Sequence, residues 1–290
     1  MRIGTRGSTL ALIQAEWVAA GLEGPVEIVK ITTLGDQGAA AEDKSRWVSE
    51  LERALLDGRI DLAVHSAKDV PTELDPGLEL VAVPARADAH DAICGARALQ
   101  DLPAGARIGT SSVRRRAQIC AVRDDVEVVD LRGNVDTRLR KLADGQVDAL
   151  VLALAGLQRL GRQAEAGGVL TELVPAAGQG ALALEARAGT LSDELLAPVR
   201  DPLSTACLAA ERTLVHALGA SCNTPVGAHA EPGAGPDELE LVAWVGLPDG
   251  SQWLTDRVTG PADSVGVECA ERMLAAGASR LLAQAERELA

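Results

Sequence analysis

The sequence predicts two similar α/β halves followed by a smaller α+β domain, and three observations predict it. Strands alternate with helices through roughly the first 200 residues, which is the pattern of a mainly parallel sheet. The tetrapeptide RIGT occurs at Arg2–Thr5 and again at Arg107–Thr110, each time as a short strand leading into a hydroxyl-bearing turn and a helix. From Ser204 the pattern changes to an Ala/Leu-rich helix followed by a hairpin. With 290 residues and 47% hydrophobic content, the chain is long enough for two or three buried cores.

The first RIGT strand passes through Gly7 and Ser8 into a helix with Leu10, Ile13, Trp17 and Ala20 on one stripe. Trp47 to Leu56 is amphipathic through Val48, Leu51 and Leu55 and stops near Gly58. Ile60, Leu62 and Val64 then alternate with Asp61, Ala63 and His65, the pattern of a half-buried strand that runs out into VHSAKDVP, Val64 to Pro71. Pro71 fixes its own φ and biases Val70 toward extended geometry, so no helix continues from Asp69. After the second RIGT come Ser111 and Ser112 and a helix expected to face inward through Val113, Ala117 and Cys120. A strand at Val126–Leu131, an RGN turn, a helix at Val135–Ala143 closed by Gly145, and a strand at Asp148–Ala155 follow. The segment VPAAGQGALALEAR joins a Gly-rich turn to a strand at Ala181–Arg187, placed to return the chain to the first half.

In the last part, a helix at Thr205–Ala217 ends at Gly219 and a loop, GASCNTP, leads to a strand near Val226. Strands at Glu238–Leu247 and Gln252–Thr259 form a hairpin around Pro248, Asp249 and Gly250. A helical region from about Ser264 to Leu289, broken near Gly277, completes the chain. The expected domains are residues 1–86 with about 180–200, residues 87–179, and residues 201–290.

Composition excludes several classes of function. The longest apolar run, Ala149 to Leu157, is far short of the roughly 18 residues that suggest a membrane span. No secretory signal is evident at the start. Five widely spaced cysteines without CxxC, and four histidines without HExxH, predict reduced thiols in a cytoplasm and no metal site. Net charge is −14, yet Arg107 to Lys141 holds nine Lys or Arg against five Asp or Glu. A basic stretch inside an acidic chain suggests a confined anion site; a nucleic-acid backbone would be repelled by the rest of the surface.

Ligands of open α/β sheets bind beyond the carboxyl ends of the strands, and there VHSAKDVP holds Lys68 beside Asp69. Arg6, Arg114, Arg115, Arg132, Arg138 and Arg159 all fall near carboxyl ends of strands or the helix starts they feed. Any one of them reads most simply as a solvated charge. Several at equivalent topological places point instead to a polyanionic ligand, because the planar guanidinium binds carboxylates bidentately. Ser8, Ser111 and Ser112 sit where exposed helix N–H groups attract anions, although at least one reads as an ordinary N-cap.

The motifs VHSAKDVP, GTSSVRRRAQ, LRGNVDTR, AGLQRLG, GQGA and ASCNTPVG, in this order, resemble the porphobilinogen deaminase (hydroxymethylbilane synthase) family of tetrapyrrole biosynthesis. The resemblance spans essentially the whole chain. It implies two domains like those of type II periplasmic binding proteins plus a third α+β domain. It also implies a dipyrromethane cofactor, one per chain, joined by a thioether to Cys222. Four porphobilinogen units would be added head to tail with loss of ammonia, and water would release hydroxymethylbilane, a porphyrin and heme precursor. By the same resemblance Asp69 is catalytic. Ser66, Lys68, Thr110, Ser112, Arg114, Arg115, Arg132, Gly133 and Gln179 bind the cofactor, while Arg6, Ser8, Ser111, Arg138 and Arg159 bind substrate. Arg116 and Arg140 are left as surface residues. A monomer acting on a small molecule, with no nucleic acid and no membrane, is the expectation.

Two departures stand out. The family usually carries a longer loop ending in GGKGLF, where this chain has GDQGAAAEDKSRW; Lys44 and Trp47 are the candidate lid residues. RADAHD, Arg86 to Asp91, lacks the usual Pro-Arg before its last Asp, at the expected hinge. Two other classes remain open from sequence: a non-catalytic anion receptor, which needs neither Asp69 nor a modified Cys222, and a nucleic-acid module, which needs a continuous basic face.

Overall fold

The computed structural model describes residues 1–31, 45–221 and 224–289; the side chains of 45–47 lie outside that description. The elements run β1 (Arg2–Arg6), α1 (Thr9–Gly21), β2 (Glu27–Ile31), α2 (Ser45–Leu56), β3 (Leu62–Ser66) and β4 (Leu78–Ala82). There follow β5 (Asp91–Cys94), β6 (Arg107–Gly109), α3 (Val113–Val122), β7 (Glu127–Val129), α4 (Val135–Ala143), β8 (Ala149–Ala153), α5 (Leu154–Arg159) and β9 (Gly168–Leu170). The remainder comprises β10 (Leu182–Arg187), α6 (Asp193–Leu196), α7 (Pro202–Ala217), β11 (Val226–Pro232), β12 (Glu238–Gly246), β13 (Trp253–Pro261), α8 (Val265–Ala275) and α9 (Ala278–Leu289).

Two five-stranded sheets have the orders β2-β1-β3-β10-β4 and β7-β6-β8-β5-β9. Laid over one another they match strand for strand, with the RIGT strands β1 and β6 in the same place. The equivalence extends to bonds. The Arg2 backbone N–H donates to Asp61 Oδ2 at 2.7 Å, and the Arg107 N–H donates to Asp148 Oδ2 at 2.7 Å. Both bonds close the end of the strand opposite the site. The sheets are mainly parallel as expected, four of the five strands in each running the same way; one reversed strand in each gives two parallel and two antiparallel pairings. The cause is that β5 and β10, which follow the two passages between the units, enter their sheets from the opposite end.

Helices cover both faces of the first sheet, so β3 is fully buried from Leu62 to His65 instead of half-buried. Leu62 and Val64 pack with Ile3, Ala15 and Val18 on the α1 side, and Ala63 packs with Leu51, Ala54 and Leu55 of α2 on the other. His65, whose alternate position predicted exposure, is instead paired with the buried Glu185 of β10, Nε2 to Oε2 at 2.9 Å. In α1 the buried face is Gln14, Ala15 and Val18, while Trp17 is 53% exposed. That helix is apolar nearly all round, so its period does not select a face. In α3 the buried face includes Arg114, Arg115, Gln118 and Ile119, whereas Val113 and Cys120 are only partly covered. The predicted strand through Ala155 stops at Ala153, where α5 begins.

The third sheet, β11-β12-β13, is antiparallel and packs its Ala, Val and Leu residues against α7, α8 and α9, which break at Gly277 as expected. It is locked to the rest by Glu211 of α7. This buried carboxylate accepts from both Arg86 Nη atoms, at 2.6 and 3.2 Å, from Gly178 N at 2.6 Å and from Ala230 N at 2.8 Å. Burial alone would raise its pKa, but Arg86, with the His229 contact, holds it below the ordinary carboxylate value. Among the described residues no helix is long and apolar enough to cross a membrane.

Candidate active site

β3 ends at Ser66, and Ala67–Asp69 make a single tight turn that closes with Val70 N donating to Ala67 O at 3.2 Å. Val70 is extended, φ −83° and ψ 125°, as the following proline dictates. The turn is held from behind: the buried Ala67 donates its N–H to Ala181 O at 3.0 Å, and Gln14 Nε2 of α1 donates to Ser66 Oγ at 3.2 Å. Lys68 and Asp69 themselves are partly exposed.

Lys68 connects this turn to the second unit. Its Nζ donates to Gln179 Oε1 at 3.3 Å, and Arg115 Nη2 donates to the same oxygen at 3.3 Å. The Gln179 amide in turn donates to Asp91 Oδ1 at 2.7 Å and Ala89 O at 2.6 Å. Asp91 is fully buried and also accepts from Arg114 Nη2 at 2.7 Å, Arg115 Nη2 at 2.8 Å and Arg115 Nε at 3.0 Å. Burial would raise its pKa, but two adjacent guanidinium charges hold it far below the usual carboxylate range. Arg114 Nη1 donates to Val174 O at 2.7 Å and Arg115 Nη1 to Val151 O at 3.0 Å, while the buried Arg114 Nε has no partner among the described residues.

Gln179 is held between two glycines with left-handed backbone, Gly178 at φ 72° and Gly180 at φ 86°. A Cβ on Gly180 would lie 2.4 Å from Ala87 O. Gly180→Ala is therefore expected to cost more than the ~1–3 kcal/mol of a strained backbone alone. Because Gly180 O also accepts from Arg159 Nη2 at 2.6 Å, the change displaces that guanidinium too. A thermal melt equal to that of the parent protein would show the left-handed turn to be dispensable.

The other cations line the same side. Arg138 of α4 donates from Nε to Gly133 O at 2.7 Å and from Nη2 to Ser111 Oγ at 3.2 Å. Burial, and then the positive charge of Arg115, push its pKa down to about 10; burial does the same to Arg159, also to about 10. Among the described residues no carboxylate lies within ion-pair distance of either. Arg132 is exposed beside Asp130 at 2.8 Å, and Arg6, at the end of β1, is half-buried. Ser8 and Ser112 are the N-caps of α1 and α3, accepting from Ala11 N at 3.3 Å and Arg115 N at 3.4 Å. The buried Thr110 accepts from Ser112 N at 3.2 Å. The first turn of α1 faces α5 across the units, with Leu10 Cδ2 3.8 Å from where a Cβ on Gly156 would sit.

The structure thus brings Lys68, Gln179, Arg114 and Arg115 into one bonded cluster, with Arg138 close enough for Arg115 to act on its charge. Arg114 and Arg115 differ from the expectation of open ligand-binding cations in that both are buried and share one carboxylate, Asp91, which leaves the cluster with one positive charge in excess. Asp91, Gln14 and Glu211 were not singled out from the sequence. Their only signal was the presence of polar or acidic residues in apolar surroundings. Lys44, the Trp47 side chain and Cys222 lie outside the described residues. The base of the cysteine loop is tied on either side, Ser221 N donating to Thr224 Oγ1 at 2.9 Å and Thr224 Oγ1 to Ser221 O at 2.6 Å.

Residues 1–194 match the family described as porphobilinogen deaminase, dipyromethane cofactor binding domain, and residues 205–275 match porphobilinogen deaminase, C-terminal domain. Porphobilinogen deaminase of Deinococcus deserti is 46% identical, covering 97% of this chain and 97% of its own. That of Thiobacillus denitrificans is 46% identical over 97% of each, and that of Chromobacterium violaceum 47% over 97% and 96%. Among solved structures, immunogenic lipoprotein A of Vibrio vulnificus aligns at a TM-score of 0.41 and 14% identity, over 68% of this chain and 92% of that one. Matched by both domains and at nearly full length by these relatives, the chain belongs to the porphobilinogen deaminase family.

Proposed function

We propose that this chain is a deaminating transferase that joins four porphobilinogen molecules head to tail and releases hydroxymethylbilane to water, in porphyrin and heme biosynthesis. The observation that carries the reading is a partly exposed carboxylate, Asp69, on a fixed turn that Lys68 bonds through Gln179 to Arg115, together with two half-buried cations, Arg138 and Arg159, that have no carboxylate within ion-pair distance among the described residues. Such cations fit the acetate and propionate groups of pyrroles, so the donor set suits a dipyrromethane. When bound, that group supplies a covalent primer for the added units.

Each chain residue then has a task. Departure of ammonia leaves a cation on the substrate, and a carboxylate about 4 Å away, at an effective dielectric near 20, stabilises it by about 4 kcal/mol. That is roughly a thousandfold in rate. Asp69 is assigned this role and the movement of protons at the pyrrole nitrogen and the leaving amine. Lys68, kept in place by Gln179, and Ser66, Thr110, Ser112, Arg132 and Gly133 are assigned to the cofactor side chains. Arg114 and Arg115 set the positive field there while sharing Asp91. Arg6, Ser8, Ser111, Arg138 and Arg159 are assigned to incoming substrate. Cys222 is assigned the thioether. Burial pushes the thiols of Cys94 and Cys207 up to about 11 and Cys269 to about 12, and raises that of partly buried Cys120, which disfavours all four as nucleophiles.

The sheets and the Glu211 bonds support domains at residues 1–86 with about 180–200, 87–179 and 201–290. Four described cysteines carry free thiols, which supports a reducing cytoplasm. A monomer suffices, since both sides of the proposed site come from one chain.

The intact mass of protein purified from porphobilinogen-producing cells tests the proposal. The expected result is one dipyrromethane of added mass, on the peptide containing Cys222, absent in Cys222→Ser. An unmodified mass would favour the anion receptor.

A further inference from the structure

Immediately after Asp69 the chain presents three consecutive carbonyl groups to α7. Arg212 takes all three: Nη1 donates to Val70 O at 3.1 Å, and Nη2 donates to Pro71 O at 2.6 Å and Thr72 O at 3.0 Å. Among the described residues no carboxylate lies within ion-pair distance of Arg212, so its fork is committed to this backbone. One helical turn further on, His216 Nδ1 stands 3.8 Å from Glu73 Oε1, so the same face of α7 follows the loop. The preceding residue, Glu211, fixes that stretch of α7 through Arg86, Gly178 and Ala230. Arg212 is thus held by a rigid helix, and Pro71, which lacks an N–H, gives its segment no ladder bond of its own. A guanidinium spanning three successive carbonyls restrains the backbone next to Asp69.

We propose that Arg212 is a positioning residue for Asp69: by gripping the Val70–Thr72 carbonyls from the third unit, it fixes where the Asp69 carboxylate meets the reacting pyrrole. The proposal rests on the transferase reading given above. Its structural half, restraint of the loop, does not. A turn that loses its clamp still binds carboxylates through Arg138 and Arg159, so the effect falls on turnover and not on affinity.

The test uses cofactor-loaded protein carrying Arg212→Gln or Arg212→Lys. For Arg212→Gln the expected result is a fall in kcat of about 10- to 100-fold, the scale of a displacement of about 1 Å in a reacting group, with KM within about twofold. Arg212→Lys, which keeps the charge but not the fork, is expected to fall between parent and Arg212→Gln. Hydrogen exchange at the amides of residues 70 and 72–74 should quicken, while that at Gly178 and Ala230 stays unchanged. In an Asp69→Asn background, Arg212→Gln should cost little more, because the carboxylate it positions is gone. A merely structural residue would lower the melting temperature with kcat unchanged well below it, or cost as much in the Asp69→Asn background as in the parent; either result overturns the proposal. If Arg212→Gln does not fold, Arg212→Lys with unchanged kcat and unchanged exchange at the loop does so. Absence of deaminase activity in the parent protein, with exchange still quickened in the variant, would instead sink the transferase reading and leave the clamp standing.

Discussion

Replacing Asp69 by asparagine is expected to lower turnover by about two to four orders of magnitude while leaving the fold and the cofactor mass unchanged. Asparagine keeps the size of the side chain and removes its charge. The turn does not depend on that charge: it is held by Ala67 N, Val70 N and the Arg212 bonds, none of which uses the Asp69 side chain. The loss therefore falls on the cation that forms when ammonia departs, where about 4 kcal/mol of attraction is at stake. Rates of porphobilinogen consumption, together with thermal melts and intact mass, separate the two effects. A folded, loaded Asp69→Asn protein with near-parent turnover would exclude this carboxylate from the chemistry.

The largest expected effect on stability lies at Asp91. Asp91→Asn leaves Arg114 and Arg115 buried without a countercharge, and breaking a buried pair in this way costs about 3–5 kcal/mol. At about 2–4 °C per kcal/mol the melting midpoint should fall by at least about 6 °C at neutral pH. The sign of the pH dependence follows from the depressed carboxyl. Its stabilisation is fully present above the unfolded value of about 3.9 and is lost as pH falls toward the folded one. The gap between parent and variant should accordingly be widest near neutrality and shrink below about pH 4. A gap that stays constant down to pH 2 would mean that the charge on Asp91 is not what holds the arginines.

The repeated RIGT announced two similar halves, and the matching strand orders follow from it. The limits of α4 at Val135 and Ala143 and the break at Gly277 were legible because period, capping residue and glycine agree there. Pro71 made the geometry after Asp69 legible for the same local reason. The burial of Arg114 and Arg115 was not legible, since it depends on an aspartate more than 20 residues away in a motif that departs from the family pattern. Gln179 lies 88 residues from Asp91, and its role emerges only when β10 has brought the GQGA turn back to β3. Trp17 was misplaced because a helix apolar on every side carries no phase.

Strand β10 also sets an order on the birth of the molecule. It lies between β3 and β4, so the N-terminal sheet lacks an inner strand until residue 187 has been made. The second sheet needs only the stretch from Asp91 to Leu170, all of it synthesised beforehand. On a ribosome, then, the middle of the chain completes its sheet first, while β3 and β4 wait with bare edges for a partner. The strand that delivers the Lys68–Asp69 turn gains its neighbour only after the arginine-bearing half has taken shape.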